Sequence, residues 1–405
     1  MGIKPFDDIK VLDFTWGGVG PIIANYLSWY GATVIKIENR NRPDITRGDP
    51  PYIDNVPGLN RSLFFSWTNC SKKYDVTIDL NKKRGVELCK NLVALSDVVL
   101  ESFLPGTMEK WGLEYEALIK IKPDIIMLRT CTHGQTGPLA RQPALGFTLT
   151  NLAGFNNITG WPDRGYNELH GAYSDFIAPL FGGFSLIAAL DYRRRTGKGQ
   201  CLDLAQHEAT LHFLTPLILD SAVNGRNPAI HGNRCNYAAP HGAYRCSGEN
   251  RWCAISVFSD EEWKGFCSVI GDPEWTKDPK FATRIERVKN NQELDNLLGD
   301  WTIKRSAEDV MSEMQAAGVP AGLVANAKDM IENPQFKHYR FFNELDHPET
   351  GKHAFYPSPP FRLSDAAAEV APPPILGGDN EYVCRKILDM SEKEYEQLVE
   401  EEILN

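Results

Sequence analysis

The sequence predicts an α/β protein with a Rossmann-like, doubly wound parallel sheet in a large domain and a smaller α+β domain. Three observations carry this. Short apolar runs alternate with stretches of helical spacing between residues 10 and 130. Glycines follow the first run, where a strand has to turn into a helix. The rhythm breaks near residue 225, in a loop-rich segment. A chain of 405 residues also exceeds what one core usually serves, so two domains are expected.

The elements follow in order. KVLDF (10–14) is a short apolar strand, GGVGP (17–21) a glycine turn, and an apolar helix then runs to Trp29. ATVIKIE (32–38) is β-branched and reads as a strand, and YDVTIDL (74–80) alternates as a half-buried one does. In RGVELCKNLVALS (84–96), Val86, Cys89, Leu92 and Val93 share one helical face. DVVLESF (97–103), DIIMLRT (124–130) and CLDLA (201–205) are further strands. A long helix is expected from about 175 to 195, stopped by TGKG (196–199). Beyond the loop-rich 224–242 come a strand, CAISVF (253–258), and helices from Asp260, near 291–300 and near 306–317. Pro-rich stretches (355–363 and 371–377) precede a charged C-terminal helix.

Composition excludes several classes of function. A net charge of −10 opposes nucleic acid and anionic membranes, so an anionic ligand needs local cations. There is no run of 18 apolar residues and no apolar leader in MGIKPFDDIK, so no membrane span is expected. Nine scattered cysteines, never spaced C-x-x-C, read as reduced thiols in a cytoplasmic protein. His231, Cys235, His241 and Cys246 fit no standard zinc spacing, and no metal is expected.

Gly18-x-Gly20, with Glu38 ending the next strand, resembles part of a dinucleotide fingerprint. Ile23 occupies the third glycine position, which argues against a nicotinamide cofactor and for a plain tight turn. Arg40, Arg42 and Arg47 follow the second strand, and SKK (71–73) and Lys110 add charge, either as a solvated face or as phosphate ligands. In HGAYSDFIAPLFGG (170–183), Asp175 stands before a long apolar run. Ser174 or Asp175 can cap the helix, and a carboxylate at a helix start is also placed for nucleophilic chemistry.

The motifs settle which reading to carry forward. VLDFT (11–15), GATVIKIE (31–38), DITRG (44–48), PGTMEKWGL (105–113), GQTGP (134–138), RRTGKGQ (194–200) and AGVPAG (317–322), taken in order, resemble the class III CoA-transferases. That is the family of formyl-CoA:oxalate and carnitine CoA-transferases, whose fold 2-methylacyl-CoA racemases share. The resemblance implies that Asp175, ending GAYSD (171–175), is the catalytic carboxylate. It implies that Gly17, Gly18, Arg40, Arg47, Phe103 and Lys110 contact CoA. It also implies a large CoA-binding domain of residues 1–224 completed by 340–405, a small domain of 225–339, and an interlocked-ring dimer, of like or unlike chains.

The implied reaction moves CoA from an acyl-CoA donor, succinyl-CoA or acetyl-CoA, to a free carboxylic acid. It runs through aspartyl anhydride and aspartyl-CoA thioester intermediates, with CoA thioester as substrate and no tightly bound cofactor. Oxyanion donors are expected among the backbone amides of 17–20 or 172–176. Phe147, Phe155, Trp161 and Tyr173 either line an acyl pocket for an aryl acid such as benzylsuccinate or belong to the core, and Arg164 is a candidate partner for a second carboxylate. A racemase would need a histidine where Leu145 stands. A non-catalytic subunit of a hetero-oligomeric transferase is the alternative of another class. The chain lacks the glycine run of formyl-CoA transferase, and Ser102 replaces the asparagine common before Phe103.

Overall fold

The computed structural model describes residues 3–71, 73–351 and 353–404; Lys72 and the side chain of Lys73, two of the cations noted above, lie outside the described residues. The chain divides into two compact units. The first comprises Met1–Phe155, Leu169–Asn227 and Pro334–Asn405, and the second Asn156–Glu168 and Pro228–Asn333.

The first unit is built on a six-stranded sheet of β1 (Lys10–Asp13), β2 (Thr33–Glu38), β3 (Lys73–Thr77), β4 (Val98–Glu101), β5 (Ile126–Cys131) and β6 (Cys201–Ala205). The order is β3-β2-β1-β4-β5-β6, and every pairing is parallel. Both faces are covered, which explains the near-continuous apolar runs. Successive residues point to opposite faces. Val11, Val34, Val98 and Ile126 pack with helix α1 (Val19–Ser28). Leu12, Ile35, Val99 and Met127 pack with helix α2 (Lys83–Ala94) and with Val383, Leu398 and Leu404 near the C-terminus.

Two strands end earlier than their sequence patterns suggest. β3 stops at Thr77 because Ile78 bridges to Leu404 and the Asp79 N–H donates to Ile403 O, so the C-terminal segment covers that end. β4 stops at Glu101, whose Oε2 accepts the Phe103 N–H and turns the chain. The strand order reverses between β1 and β4, and ligands of open parallel sheets bind at the C-terminal strand ends there.

Short helix α3 (Gly146–Leu152) precedes the long helix α4 (Ser174–Thr196), which has Pro179 in its second turn and ends at Gly197, φ 70°. Pro179 has no N–H to donate to the Asp175 carbonyl, its i−4 acceptor within the helix. Ile177, Ala178, Gly182 and Leu186 of α4 are buried, while Phe176, Leu180, Phe184 and Ile187 are exposed along one face. By length and composition α4 could cross a membrane, yet its inner face packs into the core of this unit. Helices α5 (Gln206–Leu211) and α6 (Thr215–Asn224) follow β6; α6 exposes Ile218, Leu219 and Val223.

The second unit has an antiparallel sheet, β7 (His241–Arg245), β8 (Trp252–Ser256) and β9 (Ala321–Leu323), in the order β9-β8-β7. Its core is packed by helices Asp260–Val269, Asn291–Thr302 and Ala307–Ala316. The first of these starts with a reciprocal capping box between Ser259 and Glu262.

Candidate active site

The first unit contains a cavity of about 780 Å³ at the switch point of the sheet. Its floor is the turn after β1 (Trp16, Gly17, Gly18), the segment after β4 (Ser102, Phe103), the start of α3, and Asp175 with Gln206. The Trp16 N–H donates to Ser102 Oγ at 2.9 Å, so Ser102 ties two strand-end loops together. The Gly17 N–H donates to Asp44 at 3.0 Å, which ties the first loop to the one after β2.

Asp175 lies in the first turn of α4, but it does not cap the helix, and neither does Ser174. Ser174 Oγ donates to Gly146 O at 2.9 Å, and the Asp175 carboxylate accepts instead from Gln206 Nε2. The competition between cap and site is thereby decided by side-chain direction. Burial pushes the Asp175 pKa up to about 6, against the lowering effect of the Gln206 hydrogen bond. The space around the carboxylate depends on glycine. A Cβ on Gly146 would lie 2.4 Å from Asp175 Oδ1, and one on Gly18 would lie 3.4 Å from Oδ2.

The backbone amides expected to stabilise an oxyanion are largely committed. Those of Tyr173, Asp175 and Phe176 donate to carbonyls two or three residues back, Ser174 to Thr150 Oγ1, and Gly17 to Asp44.

The structure brings Gly17, Gly18, Phe103 and Asp175 together around this cavity, and separates the expected cations. Arg47 is fully buried. Its guanidinium binds Glu38 and Asp75 at 2.8 and 2.9 Å and also donates to Leu59 O and Asn60 Oδ1. All of its donor groups are engaged, so the expectation that Arg47 contacts CoA is corrected: it is a structural ion at the base of the loop. Glu38 is held by the same pair; burial would raise its pKa, but Arg47 and Lys36 outweigh that and bring it to about 2. It therefore has no carboxylate to offer a ribose. Ile23, at the missing third glycine, packs against Gly182 of α4, where a Cβ would lie 2.3 Å from Ile23 Cδ1.

Arg40 is exposed and is not among the residues lining this cavity. Arg42 instead faces the Trp16 ring, 5.4 Å from its centroid. It lines a second hollow, of about 470 Å³, which shares Trp16, Ser102 and Phe103 with the Asp175 cavity. That hollow shares Leu80, Asn81 and Trp111 with a third, lined by Lys83, Lys90 and Lys110. Shared lining residues thus link the Asp175 cavity, through the second hollow, to one lined by lysines. Phe103 stands between Trp16 and Trp111, edge to face with each at 5.4 Å.

Of the aromatic residues expected near an acyl pocket, Phe147 lines the Asp175 cavity. Phe155 is buried and packs on Tyr173 at 5.2 Å. Trp161 and Arg164 line a cavity of the second unit with His231 and His241. The aromatic wall beside Asp175 is made by Phe64, Trp67 and Phe176, the last two 5.3 Å apart. Sequence reasoning missed these and Gln206. The signal for Gln206 was its place just after a strand, in the switch-point crevice.

Comparison with known proteins agrees with this architecture. The model of CoA-transferase family III matches residues 6–380. The chain is 32% identical over 398 residues to succinyl-CoA–D-citramalate CoA-transferase of Chloroflexus aurantiacus, covering 98% of this chain and 97% of that one. It is 29% identical over 406 residues to the succinyl-CoA–L-malate CoA-transferase alpha subunit of the same organism, covering 99% and 92%. A crystal structure of a CaiB/BaiF family protein from Brucella suis superposes with a TM-score of 0.87 at 30% identity, over 96% of this chain and 100% of that chain. On the strength of a match that runs through both units and of this shared fold, the chain belongs to CoA-transferase family III.

Proposed function

We propose that the protein transfers CoA from an acyl-CoA to a free carboxylic acid with Asp175 as the covalent carrier. The observation that carries this is a half-buried carboxylate in a cavity linked by shared lining residues, through a second hollow, to one lined by lysines, a series we read as one groove. The thioester reaches Asp175. The pantetheine arm passes Trp16, Gly17, Gly18 and Phe103, and Arg42 and the lysine cluster with Lys110 take the phosphates. The first unit supplies this CoA-binding domain; it differs from the expected 1–224 with 340–405 mainly in that Asn156–Glu168 belongs to the second unit.

Asp175 attacks the donor thioester and gives a mixed anhydride and CoA thiolate. Thiolate attack on the aspartyl carbonyl releases the donor acid and leaves aspartyl-CoA. The acceptor acid repeats the two steps in reverse order. Thioester is exchanged for thioester, so no external energy source is required. Apolar walls limit water, which would hydrolyse the anhydride.

Succinyl-CoA is the donor named for both relatives above, and it is the donor we favour here. For the acceptor, the walls Phe64, Trp67, Phe147 and Phe176 favour an acid with an apolar or aryl substituent, such as benzylsuccinate. Among the described residues lining the cavity, His170 is the basic side chain available to meet the second carboxylate of a succinyl group or of benzylsuccinate, since no Lys or Arg lines it. Leu145 lines the cavity where a racemase would place its base. The exposed apolar faces of α4 and α6 support assembly as an interlocked dimer, with a like or an unlike chain.

The test is chemical. Wild type mixed with acyl-CoA and quenched with hydroxylamine should carry a hydroxamate at Asp175, and mass spectrometry should show CoA moved to an acid from a panel. Asp175→Asn should give neither. Full turnover by a freshly purified Asn variant would overturn the assignment.

A further inference from the structure

Resting on the reading of Asp175 as carrier, we propose that Gln206 is the oxyanion donor for every attack on the aspartyl carbonyl, and that it aims the other carboxylate oxygen at the donor thioester.

Gln206 is buried and opens α5 directly after β6. Its Nε2 donates to Asp175 Oδ1 and, at 3.3 Å, to Ser174 Oγ. The Ser174 proton is already directed to Gly146 O, so Ser174 Oγ can only accept from Gln206. This fixes the amide with nitrogen, not oxygen, toward Asp175. Among the described residues, Gln206 is the side chain that donates to this carboxylate. Gly146 packs against Oδ1 and Cγ, whereas Oδ2 lies on the side of Gly18, which with Asp175 lines the cavity. The two oxygens are therefore unlike: Oδ1 is held and Oδ2 is presented.

The bond changes give this asymmetry a consequence. Oδ2 attacks the donor acyl carbon, the C–S bond breaks, and CoA leaves as thiolate. In the anhydride, Oδ1 is the carbonyl oxygen of Cγ. Thiolate attack on Cγ pushes an electron pair onto Oδ1; collapse breaks Cγ–Oδ2, and the donor acid departs as carboxylate with Oδ2. The acceptor carboxylate then attacks Cγ of the thioester, again placing charge on Oδ1, and expels thiolate. Thiolate finally attacks the acceptor acyl carbon and returns a carboxylate to Asp175. No proton is gained or lost. Charge builds on Oδ1 in both attacks at Cγ, where the Gln206 N–H already points, and the backbone amides of residues 173–176 and of Gly17 donate elsewhere.

A donor lost from such a position costs roughly 10²–10³-fold in rate. Gln206→Met keeps the length and removes the donor. Gln206→Asn, too short to reach Oδ1, is the second variant. Each should slow both conversions at Cγ, formation of aspartyl-CoA from succinyl-CoA and its decay on adding acceptor acid, roughly 10²–10³-fold, while the hydroxylamine-trapped Asp175 adduct still forms on long incubation. The acid limb of kcat/KM should also move to higher pH, because the group that lowers the Asp175 pKa is gone. Near-wild-type rates of adduct formation and decay, or loss of only one of the two, would overturn the role of Gln206 and leave Asp175 as carrier. Absence of the adduct in wild type would overturn the carrier reading itself.

Discussion

Gly146 lies against Asp175 so closely that a methyl group there would sit 2.4 Å from Oδ1 and 2.5 Å from Cγ. The carboxylate has its place because residue 146 has no side chain. Gly146 opens α3 with ordinary helical geometry, so alanine is tolerated by the backbone. Gly146→Ala should displace the carboxylate, lowering kcat about 10²-fold with little change in KM for acyl-CoA. Gly18→Ala, whose Cβ would contact Asp175 at 3.2–3.4 Å, should cost less. Steady-state kinetics of the two variants check this ordering.

The raised pKa of Asp175 makes two predictions. As a nucleophile it must be ionised, so kcat/KM should fall below about pH 6 with a one-proton slope. For stability the sign is reversed from the usual carboxylate. The folded state holds this proton more tightly than the unfolded state, so ionised Asp175 costs stability above about pH 6, and the cost fades as pH falls toward the unfolded value. Asp175→Asn should therefore melt higher than wild type at pH 8, by the equivalent of at most about 3 kcal/mol, and no higher near pH 4. Thermal melts across that range decide it.

Arg47 and Lys110 should separate cleanly. Arg47 pairs with two buried acids, Glu38 and Asp75, so Arg47→Ala should cost about 3–5 kcal/mol and lose the native fold or much of its melting temperature. Lys110 is exposed at the groove's far end. Lys110→Ala should leave melting unchanged and raise KM for acyl-CoA several-fold, an effect that shrinks in high salt. Melting curves and kinetics at two ionic strengths test both halves.

The apolar faces of α4 and α6 predict association. Phe184 and Val223 are 77% and 78% exposed. Light scattering of the purified chain at micromolar concentration should give twice the chain mass. Phe184→Glu should weaken that assembly without changing the far-UV circular dichroism. A wild-type monomer would sink the expected dimer.

The sheet was legible in the sequence because each strand carries its own signal. ATVIKIE and DIIMLRT carry the apolar, β-branched-rich runs of strands covered on both faces, interrupted by few polar residues, and the spacing of Val86, Cys89, Leu92 and Val93 marks a helix without reference to any partner. Asp175 was visible too, as a lone carboxylate before an apolar helix. The strand ends were less so: nothing local in YDVTIDL says that Leu404 will pair beside Ile78.

Charge was the least legible. Arg42 and Arg47 are five residues apart in one basic loop and look alike in sequence. Only the fold sends Arg47 inward to Glu38 and Asp75 and leaves Arg42 over Trp16. Gln206 is a similar case, 31 residues from Asp175 and joined to it because β6 delivers it to the same crevice. The sequence by itself determined the fold class, the alternation of strand and helix, and the carboxylate before α4, since these rest on local propensity and periodicity. The tertiary structure alone decided which cation is buried, which amide meets Asp175, and which glycines make room for it, because hydrogen bonds and close contacts depend on distances between segments that no local pattern encodes.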